Sequence, residues 1–220
     1  MSWYRTYRFL GASLLLGLLV ACVSGVAPSA GDSAESKVVA AETLREPAEF
    51  RGIQDKTLRS ESLFTEAARV LQSPRCMNCH PVSRFPTQGD DMHPHVPLTH
   101  AGASGHGGAG LECSACHQKD NVNTLSFPIA SIPGNSHWAL APESMAWQGL
   151  SIGQICEQLK DPRRNGGRTL AQIHKHMKED SLVGWAWNPG AGRKPAPGTQ
   201  QTFAELVEAW IETGAACPRG

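Results

Sequence analysis

Two short strings in this chain could do chemistry: CMNCHP at residues 76–81 and CSACHQ at residues 113–118. Each sets two thiols and an imidazole close together. Residues i, i+3 and i+4 share one face of a helical turn, so a single turn can offer two sulfurs and one ring nitrogen to the same object. Three chemistries use such a set: thiolate coordination of zinc, dithiol–disulfide exchange, and covalent attachment of haem. A zinc ribbon separates its Cys pairs by ~15–20 residues and gives no reason for a histidine after each pair. Here 33 residues, 80 to 112, separate the pairs, and both histidines are present. Thioredoxin-like exchange needs one C-x-x-C beside a βαβ pattern, which is missing here. The spacing therefore predicts two haems c, bound by thioethers to Cys76 and Cys79 and to Cys113 and Cys116. His80 and His117 are then the proximal iron ligands.

The distal position on each iron needs another side chain. Of nine histidines, seven remain after the proximal pair, and five of those lie between Met92 and His137. A histidine in a loop is often only hydrogen-bonded, but this concentration beside the motifs favours ligation. None precedes His80, so any distal histidine comes from downstream. His93, His95, His106 and His137 lead the candidates. Met92 and Met145 are thioether alternatives, and His174 and His176 are further candidates nearer the C-terminus.

These residues need elements to hold them. Leu63, Phe64, Ala67, Val70 and Leu71 recur at helical spacing and predict a helix over 60–72 that leads into the first motif. Pro81 and Pro86 then end regular structure. The stretch 87–110, TQGDDMHPHVPLTHAGASGHGGAG, has neither helical nor strand period, and so long a loop in a compact domain is usually functional. Residues 121–146 are irregular as well.

Three helices follow. Ser151 caps the first, with Ile152, Ile155, Cys156 and Leu159 in one stripe. The second runs over 168–180, with Leu170, Ile173, His174 and Met177 on one face and His176 on its flank. Thr199 or Thr202 caps the third, where Phe203, Leu206, Val207, Trp210 and Ile211 follow i, i+3, i+4, i+7, i+8 and Gly214 is the stop. The RNGG at 164–167 and the pair Trp185 and Trp187 read as a tight turn and core aromatics beside the haems, with a partner-docking surface as the other reading. The fold class expected is mainly α with long irregular loops, a small c-type dihaem domain over 60–220. With 6% aromatic residues the polypeptide offers a thin core, which two macrocycles would fill.

The compartment is read from the N-terminal residues. Arg5 and Arg8 precede an apolar stretch, 9–20, too short to span a bilayer comfortably, which predicts a secretory signal over 1–21. Leu19-Val20-Ala21-Cys22 resembles the lipobox of bacterial lipoproteins, so Cys22 is expected to carry lipid and anchor the chain to a membrane in the periplasm. Ordinary cleavage nearby is the rival reading. Residues 22–59, rich in Ala, Ser, Glu and Pro, read as a flexible tether. Loss of Arg5 and Arg8 takes the 20 basic side chains to 18 against 20 acidic ones, a balance that argues against nucleic acid as a partner. Of seven cysteines, one is in the lipobox and four are in the motifs, leaving Cys156 and Cys217. An even remainder in an oxidising compartment predicts a disulfide.

Beyond the motifs themselves, CMNCHP, QGDDMHPH, GHG, CSACHQ, LAPESMAWQG, ICEQLKDPRRNGGRTL, LVGWAWNPG and PAPGTQ followed by Phe203 resemble dihaem cytochromes named as subunits of isoquinoline 1-oxidoreductase-type molybdenum hydroxylases. The segment from His93 or His95 to Cys113 is also similar to the small dihaem subunit of periplasmic nitrate reductase. That family uses a further histidine ahead of its first motif, which this chain lacks. The closer resemblance implies electrons arriving from a molybdenum hydroxylase or other dehydrogenase and leaving to the respiratory chain. No part of the chain resembles a molybdopterin-binding region. An electron carrier is thus expected. The rivals are a dihaem enzyme such as a peroxidase, which needs one open or displaceable iron position, and a haem-based sensor, for which no output domain is visible.

Overall fold

Short polar side chains start the main helices by accepting hydrogen bonds from their first unpaired amides. The computed structural model describes residues 42–124 and 130–219. The expected leader 1–21, the lipidation site Cys22 and the tether as far as residue 41 lie outside the described residues. Helix α1, Lys56–Leu71, begins ahead of the expected residue 60 because Asp55 Oδ1 accepts from Leu58 N at 2.9 Å. Helix α2, Pro74–Met77, follows at once, with Pro74 in the first turn, where its missing N–H costs nothing. Helices α3, Ile152–Lys160, and α4, Leu170–Glu179, both open on reciprocal caps, Ser151 with Gln154 and Thr169 with Gln172. Helix α5, Ser181–Gly184, leads into a tight 3-10 turn, and helix α6, Gln200–Glu212, is capped by Thr199, which accepts from Thr202 N at 3.0 Å.

The core forms where α6 lies against α1 and α4. Phe203, Leu206, Val207 and Trp210 of α6 are buried together with Leu63, Phe64 and Leu71 of α1 and Ile173 and Met177 of α4. Each such side chain contributes about 1.5–3 kcal/mol by leaving water. The rings of Phe64 and Trp210 are 4.8 Å apart. Cys156 on α3 is fully buried and bonded to Cys217, with Cα atoms 5.6 Å apart, which ties α3 to the segment after α6. Between α3 and α4 the RNGG segment is a turn built on the buried Asn165. Its Nδ2 donates to Leu159 O (2.8 Å) and Arg168 O (2.9 Å), and its Oδ1 accepts from Arg168 N (2.8 Å). Gly166 and Gly167 follow at φ of 77° and 78°, where a Cβ would be strained.

Two departures from expectation have physical causes. Of the tether expected over 22–59, residues 42–59 are folded: a 3-10 turn, Pro47–Phe50, drops Phe50 into the core, and Leu44 packs beside Gly198. A polar average hides two well-placed apolar anchors. The loop 87–110 also holds order that no period reveals. Strands β1, Thr87–Gln88, and β2, His93–Pro94, pair antiparallel, and β3, Gly107–Gly108, pairs with β4, Leu111–Glu112. A third ribbon joins β5, Val122–Asn123, to β6, Ser131–Ile132. Two-residue strands are too short to show alternation. Helices therefore dominate, and the ribbons form no larger sheet among the described residues.

Candidate functional site

Both C-x-x-C-H strings form a helical turn. In the first, α2 continues past its last full turn, with Cys79 N and His80 N both donating to Cys76 O, at 3.0 and 3.1 Å. In the second, a 3-10 turn, Cys113–Ala115, is closed by Cys116 N and His117 N donating to Cys113 O, at 3.2 and 2.8 Å. Cysteine, cysteine and histidine thus lie near one side of each turn. Burial pushes the Cys76 thiol up to about 12 and Cys79 up to about 11, while Cys113 is raised less far by the same cause. Among the described residues no three His, Cys, Asp or Glu side chains converge as a site for a metal ion.

The two motif histidines have matching surroundings. His80 Nδ1 is 2.7 Å from Met145 O, and His117 Nδ1 is 2.8 Å from Pro133 O. A carbonyl can only accept, so each Nδ1 carries the proton and each Nε2 keeps its lone pair. Trp147 stacks on His80 at 3.5 Å and 4°, and Trp138 stacks on His117 at 4.4 Å and 9°. Burial drives the His80 pKa down to about 4, against the pull of the Met145 carbonyl, and lowers that of His117. Both rings are therefore neutral at neutral pH, the state in which imidazole binds metal.

One irregular segment, 133–147, supplies all four contacts. It is tied to the first motif by Ala141 N to Cys79 O (3.1 Å) and Trp147 N to His80 O (2.9 Å), and to the loop ahead of the second by Leu140 N to Gly105 O (2.9 Å). Gly134 lets it pass close to Asp120, since a Cβ there would collide with the Asp120 carbonyl. The sequence offered His137 and Met145 of this segment as ligand candidates but gave no sign that its carbonyls and indoles would hold both motif histidines. The signal that could have found it is a pair of tryptophans, Trp138 and Trp147, in a stretch otherwise poor in large side chains.

Cys76, Cys79 and His80 line an open cavity of about 200 Å³, and His176, Met177 and Trp185 stand among the residues of its other walls. Arg75 and Arg168 add two guanidinium groups to mainly apolar walls. Arg75 is 4% exposed, and burial lowers its pKa while Asp90 opposes that shift. Its Nη2 donates to Asp90 Oδ1 (2.6 Å) and Gly89 O (3.0 Å), but its Nε is buried without an acceptor among the described residues. The Trp147 indole N–H is buried and unpaired as well. Apolar walls with cations and unused donors fit a flat macrocycle that carries carboxylates. Trp185 meets Trp138 edge-on at 5.0 Å and 89°, so an indole pair joins the cavity to the ring stacked on His117.

The remaining candidates scatter. His95 approaches His117, with ring centres 5.9 Å apart, and its Nδ1 is 2.8 Å from Pro97 O. His93 has both nitrogens engaged, Nδ1 with Asp91 Oδ1 (2.6 Å) and Nε2 with Gln88 Nε2 (3.0 Å). His106 is exposed, with Nδ1 3.3 Å from Trp138 O, and His137 is exposed too. Met92 is 40% exposed, whereas Met145 is buried and meets His80 through its carbonyl. His174 on α4 has a buried Nε2 without a hydrogen-bond partner among the described residues and does not line the cavity. His176 does line it, with Nδ1 3.1 Å from Asp180 Oδ2.

Compared with known proteins, the chain matches no family model, no curated protein and no solved structure.

Proposed function

We propose that the chain is a dihaem c-type cytochrome carrying single electrons from a periplasmic dehydrogenase to the respiratory chain. The observation that carries this reading is the repetition at His80 and His117: a helical C-x-x-C-H turn, Nδ1 held by a carbonyl, an indole on the ring, and Nε2 left with its lone pair. Cys76 and Cys79 would hold one haem and Cys113 and Cys116 the other. When bound, each haem supplies a one-electron iron couple whose potential is set by axial ligands and burial.

The chain's own residues do the rest. The carbonyls of Met145 and Pro133 fix the tautomer of the two proximal rings and stop them from turning. Trp147 and Trp138 keep water from one face of each ring. Arg75 and Arg168 put positive charge where the carboxylates of a macrocycle need it. Trp185 and Trp138 give a contiguous aromatic connection between the two sites. The strings shared with molybdenum hydroxylase cytochromes support an enzyme of that class, or another dehydrogenase, as electron donor. Lipid at Cys22 would keep the chain near its acceptor in the membrane. Produced together with a c-haem assembly system, the protein should take up two electrons per chain in a reductive titration and show no steady turnover of hydrogen peroxide. Uptake of none contradicts the reading, and sustained peroxide turnover replaces the carrier with an enzyme.

A further inference from the structure

We infer that His95 and His176 complete the iron coordination, His95 opposite His117 and His176 opposite His80. The inference rests on the dihaem reading and adds the pairing. Two imidazoles bound to one metal from opposite sides, each at about 2 Å, place their ring centres about 6 Å apart. The rings of His95 and His117 are 5.9 Å apart. Each has its Nδ1 pinned to a backbone oxygen, Pro97 O and Pro133 O, both at 2.8 Å, so each has only Nε2 to offer. The backbone beside His95 is held as well: His95 N donates to Pro86 O at 3.1 Å and Val96 N to Gln88 Oε1 at 3.2 Å.

At the first site, His80 and His176 are the two histidines on the walls of one cavity. The Asp180 carboxylate, 3.1 Å from His176 Nδ1, does for this ring what carbonyls do for the other three. The alternatives lack this combination. His93 spends both nitrogens on neighbours, and His174 is off the cavity wall. His106 and His137 stack on neither proximal ring, and Met145 meets His80 at the nitrogen remote from iron. Met177 shares the wall with His176 and is the closest rival.

The test is the spin state of the ferric protein, read by electron paramagnetic resonance and visible absorption, with haem content measured by mass on the same samples. Wild type should be low-spin at both haems. His95→Ala and His176→Ala should each retain two haems and turn one of them, half of the ferric signal, high-spin. Free imidazole should restore the low-spin spectrum. The double variant should be high-spin at both haems. His93→Ala, His106→Ala and Met177→Leu should stay low-spin. Two haems with unchanged low-spin spectra in His95→Ala or His176→Ala overturn the pairing at that site, as does loss of the low-spin signal in Met177→Leu. A wild type already high-spin at one haem overturns it there. Absence of haem from the wild type would instead defeat the dihaem reading itself. If a variant is made only in trace amounts, His95→Gln and His176→Gln carry the same expectation.

Discussion

A backbone oxygen and an indole face meet His80, and another oxygen and indole meet His117, although one motif sits on an α-helical turn and the other on a 3-10 turn. The oxygen decides which nitrogen keeps its lone pair, and the indole shields the ring. Arg75 adds charge to the first site. Replacing it with Leu should lower the potential of the haem proposed at Cys76 and Cys79, because a nearby cation disfavours the ferric charge, and should move the other potential less. A redox titration reads this, and an unmoved pair of potentials would show that Arg75 does not face the haem. The change also removes the Arg75 partner of Asp90, leaving it the Lys194 N–H at 3.3 Å, and should cost about 2 kcal/mol in denaturant unfolding, less than a fully buried pair because the Asp90 side chain is 40% exposed. The grouping of two thiols and a histidine on one turn at each motif was legible in the sequence because the i, i+3, i+4 spacing sets it. Met145, Trp147 and Trp138 were not, since their roles come from packing across the chain, as with the 65 residues between His80 and Met145. Nor was the place of His176: periodicity put it on a flank of α4 but could not say which cavity that flank lines.

Helices α1, α3, α4 and α6 were legible by their apolar stripes, two of them also by the caps Ser151 and Thr199, whereas the caps Asp55 and Thr169 emerge from the fold. Their ends moved by a turn or less, for instance where Asp55 starts α1 earlier. The segment 133–147 and the three ribbons were illegible because bonds to distant backbone, such as Ala141 N to Cys79 O, hold them rather than any local period. The same holds for residues 42–59, where Leu44 and Phe50 act singly. The disulfide from α3 to the segment after α6 spans 61 residues of chain. Closing a loop of that length stabilises by ~4 kcal/mol in the chain-entropy account. Replacing Cys156 and Cys217 together with Ser should lower the guanidinium midpoint accordingly, and an unchanged midpoint would show that helix packing alone fixes this end of the fold.

At the scale of the whole molecule, helices α1, α4 and α6 form the packed core, and the irregular loops and the segment 133–147 surround the two C-x-x-C-H motifs. This division explains why an aromatic-poor chain can fold around two motifs that lie in different local structures. The Trp138 and Trp185 pair connects them, and under the proposed function it makes the two sites one electron path rather than two isolated centres. Everything in it depends on haem being attached at both motifs. The most direct measurement is the intact mass of the mature protein made with a c-haem assembly system, compared with Cys76→Ser, Cys79→Ser, Cys113→Ser and Cys116→Ser variants. The account predicts two covalent haems in the wild type, a first motif that no longer holds its haem by two thioethers in the first pair of variants, and the same defect confined to the second motif in the other pair. A mature wild type with one haem or none would contradict it.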